Sequence, residues 1–427
     1  MRVLIQNGHV VDPATGLDEQ CDVFISENKI KKVGKNLQDD ADHVIDAAGC
    51  YVMPGFIDLH VHLRDPGLTN KETLETGGKA AVRGGVTTVC AMPNTSPIID
   101  TKEKVEEVHQ RAATESFARV IQLGSMTKGE AGQELSDIKG MAQAGCMALS
   151  EDGKSVMNAS LFRKAMREAD EQGLIIFSHC EDISLVEGGV MNAGKRAEQL
   201  GVKGITNSVE DVITARDILI AKELDARLHL CHCSTKDSVR MIALAKQDGV
   251  KVTGEVCPHH FILTDEDIPE NNGIWKMNPP LRSKEDVEAL RQGLKDGTMD
   301  VISTDHAPHM MSEKDKPMEK SAFGIVGLET SACLTYTELV EKGVLTMMQM
   351  AEKMSYNPAK ILGLEDRGSI SEGKTADIVV FDPRPEYCID VNTFYSKGKN
   401  TPFHGWPVKG EVRCTLVDGK IVYNKEA

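Results

Sequence analysis

His60 and His62 stand one residue apart in "GFIDLHVHLRDPG" (55–67), and Arg64 follows two positions later. Side chains alternate along a strand, so both imidazoles share a face. On strict alternation Phe56 and Asp58 join them, while Ile57, Leu59 and Val61 take the other side. Two imidazoles at that spacing suit a divalent cation, most simply zinc. The same residue types close other apolar runs. His179 ends "LIIFSH", His232 ends "RLHLCH", Asp305 ends "DVISTD", and "GCMALSEDGK" delivers Glu151 and Asp152. Four histidines and two aspartates exceed one tetrahedral site. They fit two cations with a shared ligand, an arrangement that clamps and activates a hydroxide. "CHC" at 231–233 could suggest a zinc–cysteine site, but no matching Cys pair occurs elsewhere. Cys231 and Cys233 therefore read as small buried apolar residues. His9, His43, His109, His229 and His404 read as structural, and His259 and His260 as supporting or packing residues near the same mouth.

Eight short apolar runs recur between residues 55 and 305, with helical patterns such as "TKEKVEEVHQRAATES" and "KDSVRMIALAKQDG" between them. They begin at "GFIDLH" (55–60), "VTTVCAM" (86–92), "RVIQLGS" (119–125) and "GCMALS" (145–150). "LIIFSH" (174–179), "RLHLCH" (227–232), "VKVTGEVC" (250–257) and "DVISTD" (300–305) complete the set. This alternation predicts an α/β chain with a (β/α)8 TIM-type barrel over 54–365, whose chemistry would sit at the C-terminal strand ends. A doubly wound sheet would also alternate. Both chain ends read instead as strands broken by turns, "RVLIQNGHVV" and "CDVFISENKIKKVG" at one end, "GSISEGKTADIVVFDP" and "VRCTLVDGKIVY" at the other. Residues 1–53 and 366–427 are expected to meet in one small β-sandwich domain.

The 427 residues are 41% hydrophobic and 4% aromatic, so the core must be aliphatic. A net charge of −16 argues against nucleic acid or an anionic membrane as partner. A locally positive site can still take an anionic small molecule. The 11 cysteines follow no framework spacing, the start lacks the apolar core of a secretory signal, and no run approaches a membrane span. The expectation is a reduced, cytoplasmic enzyme.

"PGFIDLHVHLRDPG", "AMPNTSP", "SHCED", "CHCST", "CPHH", "MNPPLR" and "STDHAPH" together resemble the amidohydrolase superfamily, and more closely its class I dihydroorotases. The resemblance runs almost end to end. It implies two zinc ions per subunit and reversible interconversion of N-carbamoyl-L-aspartate with L-dihydroorotate in de novo pyrimidine (UMP) biosynthesis. His60, His62 and Asp305 would hold one zinc, and His179 and His232 the other. Many relatives bridge the metals with a carboxylated lysine on the fourth strand. Here that strand carries no lysine, and Asp152 stands at its end, as in bacterial class I enzymes; Lys154 is the competing bridge. A hydroxide bridging the metals would attack the ring amide carbonyl, with Asp305 as general base and then acid.

The implied substrate carries a free carboxylate, which Arg64 can grip bidentately. A salt bridge from Arg64 to Asp65 is the alternative. By analogy His62, Asn94 and His309 join the grip, and Asn278, Phe323 and Gly324 hold the ring's polar edge. "APHMMSEKDKPMEKSAFGIVG" (307–327) is long and charged enough to act as a lid. Rival readings are an allantoinase or hydantoinase-type cyclic amidase, and a non-catalytic scaffold such as the dihydroorotase-like partners of aspartate transcarbamoylase. All six metal positions carry ligating residue types, which argues against a scaffold, although an active protein could still dock to that partner. The acidic surface and barrel architecture are compatible with a homodimer.

Overall fold

Eight central strands fall where the apolar runs place them in the computed structural model, which describes residues 1–425. They are β1 (Phe56–Val61), β2 (Val86–Ala91), β3 (Arg119–Gln122, resuming as Gly124–Ser125) and β4 (Ala148–Ser150). β5 (Ile175–Ser178), β6 (Leu228–Leu230), β7 (Val252–Val256) and β8 (Val301–Ile302) follow. All pair in parallel. β1, β2 and the first part of β3 form one sheet, and the second part of β3 leads a run of strands through to β8. Only Leu123 separates the two parts. Beyond β8 the chain returns to β1: Val61 forms a parallel bridge with His306, and the His62 N–H donates to the His306 carbonyl at 2.8 Å.

Every residue of β1 and β2 is buried, as expected for strands covered on both sides. Helices Leu74–Arg83, Lys102–Glu115, Ala159–Glu171, Ser208–Leu224, Lys236–Gln247 and Lys284–Asp296 supply one cover. Reciprocal caps start two of them, Thr73 with Thr76 and Ser283 with Asp286. Helix residues such as Val105, Phe162, Ile213 and Leu290 pack with Phe56, Val61, Val89 and Ile176 of the strands. A second cluster, including Ile57, Leu59, Cys90, Ile121, Phe177, Cys231 and Val301, packs among the strands themselves.

These clusters correct the strict alternation expected of β1. Phe56 packs with the helices, not on the side that carries the histidines. The β1–β2 register shifts between Phe56 and Ile57 and again between Asp58 and Val61. The first places its extra residue in β2, and the second places one in β1, which resets the two-residue period there.

The chain ends share one sheet. Arg2–Asp12, Leu17–Ser26, Lys29–Gly34, His43–Asp46 and Tyr51–Pro54 come from one end, and Ile378–Cys388, Pro407–Val417 and Lys420–Asn424 from the other. The seam is antiparallel, with Ile378 opposite Pro54 and Phe381 opposite Tyr51. Val3, Ile5, Val52, Ile378 and Leu416 fill its core. None of the eleven cysteines forms a disulfide, and only Cys388 is exposed. Among the described residues no helix is long and apolar enough to cross a membrane.

Leu59 is fully buried in the cluster beneath the site. Leu59→Ala is expected to lower the unfolding free energy by about 2–5 kcal/mol, read as a shift of the urea midpoint at unchanged slope.

Candidate active site

The six predicted metal residues converge at or just beyond the C-terminal ends of β1, β4, β5, β6 and β8, and all are buried. Asp152 is the hub. Its Oδ1 lies 3.1 Å from His60 Nε2, 3.4 Å from His179 Nδ1 and 3.7 Å from His232 Nε2. Its Oδ2 lies 3.3 Å from His62 Nε2. Asp305 Oδ1 reaches only one pair, His62 Nε2 at 3.1 Å and His60 Nε2 at 3.6 Å. His179 Nδ1 and His232 Nε2 face each other at 2.8 Å. The set thus divides into His60, His62 and Asp305 on one side and His179 and His232 on the other, with Asp152 touching both. Lys154 is exposed, and its Nζ donates to the Glu130 carbonyl at 3.2 Å.

His60 Nε2 and Asp152 Oδ1 are buried without a hydrogen-bond partner. Buried polar atoms are nearly always satisfied, so orphaned atoms on ligands of this type fit a divalent cation. The electrostatics agree. Burial would raise the Asp152 carboxyl, but His60 and His62 hold it well below the usual carboxylate range. Burial would lower His179, but Asp152 and Glu181 push it up to about 10. Asp152 therefore stays a carboxylate within the imidazole cluster.

Several supporting residues escaped the reading of the sequence. Glu255, fully buried on β7, accepts from His60 Nδ1 at 2.9 Å, from the His232 N–H at 3.1 Å and from His229 Nε2 at 3.1 Å. His229, read as structural, therefore sits directly behind the ligands. Asp58 accepts the His60 N–H at 3.1 Å and the Thr304 N–H at 3.2 Å, tying β1 to the segment after β8. The available signal was a carboxylate inside an otherwise apolar run, as in "VKVTGEVC" and "GFIDLH". Asn94 accepts from His62 Nδ1 at 2.9 Å, and its amide lies 3.3 Å from Asp152 Oδ2. Arg64, His232 and Asp305 all hold left-handed backbone, with φ of 59°, 31° and 48°. Such conformations cost about 1–3 kcal/mol each and need surroundings that impose them.

A cavity of about 200 Å³ opens over this cluster. Every predicted site residue lines it except His60, which lies beneath. Arg64 is buried, and among the described residues no carboxylate lies within ion-pairing distance of it; its Nε donates to the Pro308 carbonyl at 3.3 Å. The alternative pairing with Asp65 does not occur, because Asp65 is held bidentately by Arg111 at 2.7 and 3.0 Å. A buried guanidinium answered only at longer range, by Asp305 and Asp152, leaves room for an anion in contact with it. Burial and the adjacent Arg64 pull His309 down to about 3, so it is neutral. Its Nε2 donates to the Phe323 carbonyl at 2.8 Å. Gly324 has φ 121°, and a Cβ there would come within 2.6 Å of the Ala307 Cβ.

Two buried lysines clamp the 307–327 loop that carries these groups. Lys314 Nζ donates to the carbonyls of Lys276, Ala322 and Gly324, each at 2.8 Å. Lys276 Nζ donates to Met318 and Ser321 and lies 4.0 Å from the Phe323 ring centre. Lys314→Met keeps the apolar stem and removes these donors. The expected outcome is cleavage within 307–327 several-fold faster in limited proteolysis; a cleavage rate equal to the parent's would refute the clamp.

A family model described as the amidohydrolase family matches residues 51–422. A protein named dihydroorotase from Thermoanaerobacter sp. (strain X514) is 47% identical over 426 residues, spanning 100% of this chain and 98% of that protein. One of the same name from Ligilactobacillus salivarius (strain UCC118) is 48% identical, with 100% of both chains covered. Among solved structures, the L-hydantoinase (dihydropyrimidinase) from Arthrobacter aurescens matches with TM-score 0.90 at 28% identity, over 99% of this chain and 96% of that one. The dihydropyrimidinase from Brevibacillus agri NCHU1002 matches with TM-score 0.87 at 27% identity, over 100% and 96%. The clustered imidazoles and aspartates thus sit in a match that runs essentially the length of the chain, which belongs to the amidohydrolase family.

Proposed function

We propose that this chain is a dihydroorotase, a hydrolase acting on a cyclic amide. It interconverts N-carbamoyl-L-aspartate with L-dihydroorotate and water in pyrimidine biosynthesis. The observation that carries the reading is Arg64, a buried, unpaired guanidinium lining the same small cavity as the candidate ligands. It asks for a substrate that presents a carboxylate beside the reacting amide. The full-length relatives named dihydroorotase support the same assignment.

Two zinc ions per subunit fit the donor set. His60, His62 and Asp305 would hold one, His179 and His232 the other, and Asp152 both; Lys154, turned toward Glu130, takes no part. When bound, such ions supply Lewis acidity and a more acidic water at neutral pH. The chain's own residues do the rest. Arg64, His62, Asn94 and His309 hold the substrate carboxylate, which fixes the ring over the cluster. Asn278 and the backbone near Phe323 and Gly324 hold the ring's polar edge. Asp305 takes the proton of the attacking water and delivers it to the departing ring nitrogen; in the synthetic direction it moves the same proton back. The clamped 307–327 loop keeps bulk water from that path.

The same proposal covers the wider organisation. The Val61–His306 bridge and the continuity of β3 support a closed (β/α)8 barrel over 54–365. The shared terminal sheet supports a β-sandwich domain built from 1–53 and 366–427. A cytoplasmic homodimer is compatible with the acidic composition, and docking to aspartate transcarbamoylase is open to the active protein.

Arg64→Ala is expected to raise KM for dihydroorotate about 30-fold, roughly the 2 kcal/mol of a charge-assisted contact. Hydantoin, which lacks the carboxylate, should be turned over no worse by the variant; equal losses on both substrates would sink the reading. Asp152→Ala is expected to bind less than the two zinc equivalents of the parent and to lose turnover. Chelation should abolish parental activity, and zinc should restore it, in an absorbance assay of dihydroorotate loss.

A further inference from the structure

Glu181 has no place in the chemistry above, yet it touches both halves of the site. It is buried, and a single oxygen, Oε2, meets His179 Nε2 at 2.9 Å and Asn278 Nδ2 at 3.1 Å. The other ring nitrogen, His179 Nδ1, faces Asp152 and His232. A neutral imidazole carries one ring proton. A bond from Nε2–H to Glu181 therefore leaves Nδ1 with its lone pair directed at the cluster. Ser155 fixes this corner: its hydroxyl donates to the His179 carbonyl at 2.6 Å and accepts the Glu181 N–H at 3.1 Å. Asn278 lines the cavity on the far side of the same oxygen. Glu181 has no capping duty to explain it, because the neighbouring Asp182 caps the short helix Ile183–Val186.

We propose that Glu181 is a positioning residue that couples cation loading at His179 and His232 to substrate capture by Asn278. The substrate half of this inference rests on the function proposed above. Two donors share one acceptor atom, so displacing either changes the hold on the other. A carboxylate behind a ligating imidazole also makes that imidazole a stronger donor to the cation.

The test begins without substrate. Zinc is titrated into chelator-stripped parent, Glu181→Gln and Glu181→Asp against a chromophoric competitor. One of the two zinc affinities should fall about 10–100-fold in Glu181→Gln while the other changes little. Glu181→Asp should lie between parent and Glu181→Gln. The zinc-induced rise in melting temperature should shrink in the same order. In zinc-saturated protein, Glu181→Gln should raise KM for dihydroorotate more than it lowers kcat. Adding Asn278→Ala should then cost less than it does in the parent. Zinc affinities of folded Glu181→Gln equal to the parent's would overturn the inference; if that variant does not fold, Glu181→Asp decides by the same comparison. A parent that binds zinc but leaves dihydroorotate untouched counts against the proposed function alone, because the zinc titration contains no substrate.

Discussion

One carboxylate, Asp152, is held among four imidazoles at the mouth of the central strands, and the rest of the architecture can be understood from the cost of keeping it there. An ion removed from water loses several kcal/mol of solvation unless its surroundings return it. Asp152 has His60, His62, His179 and His232 within 3.7 Å, each delivered by a different strand end or a different place on β1. No local segment could gather these donors. They meet because parallel strands bring their C-terminal ends to the same side and helices hold the strands from outside.

The support beneath the cluster is as polar as the cluster itself. Glu255 orients His60, His229 and the backbone of His232 from one buried position. Asp58 ties β1 to Thr304 just before Asp305. These bonds help hold His232 and Asp305 in left-handed backbone, since Glu255 takes the His232 N–H and Asp58 the Thr304 N–H next to Asp305. Above the cluster the logic changes. There the fixing groups are lysines bonded to carbonyls, and Arg64 faces the cavity with no carboxylate in contact.

Much of this was legible in the residues. Strand positions followed from apolar runs of the right length, and the converging histidines and aspartates from their shared place at the ends of those runs. The choice between Asp152 and Lys154 could be framed from Gly153, which turns the chain between them, but only the structure shows Lys154 Nζ on the Glu130 carbonyl. The supporting shell was harder to read. Glu255 and His229 act through partners distant in sequence, as Glu181 does toward Asn278, and residue type alone does not reveal a partner. The face assigned to Phe56 failed for another reason: register irregularities in β1 depend on the neighbouring strand and leave no mark in the sequence of β1 itself.

The terminal sheet carries a consequence for biogenesis. Its seam joins Tyr51–Pro54 to Ile378–Cys388, strands separated by more than three-quarters of the polypeptide. During synthesis the early strands emerge with one edge open and cannot be covered until residues 378–388 leave the ribosome. The early strands must therefore persist as an unfinished edge while the central strands are made, and a segment translated long after them closes the gap.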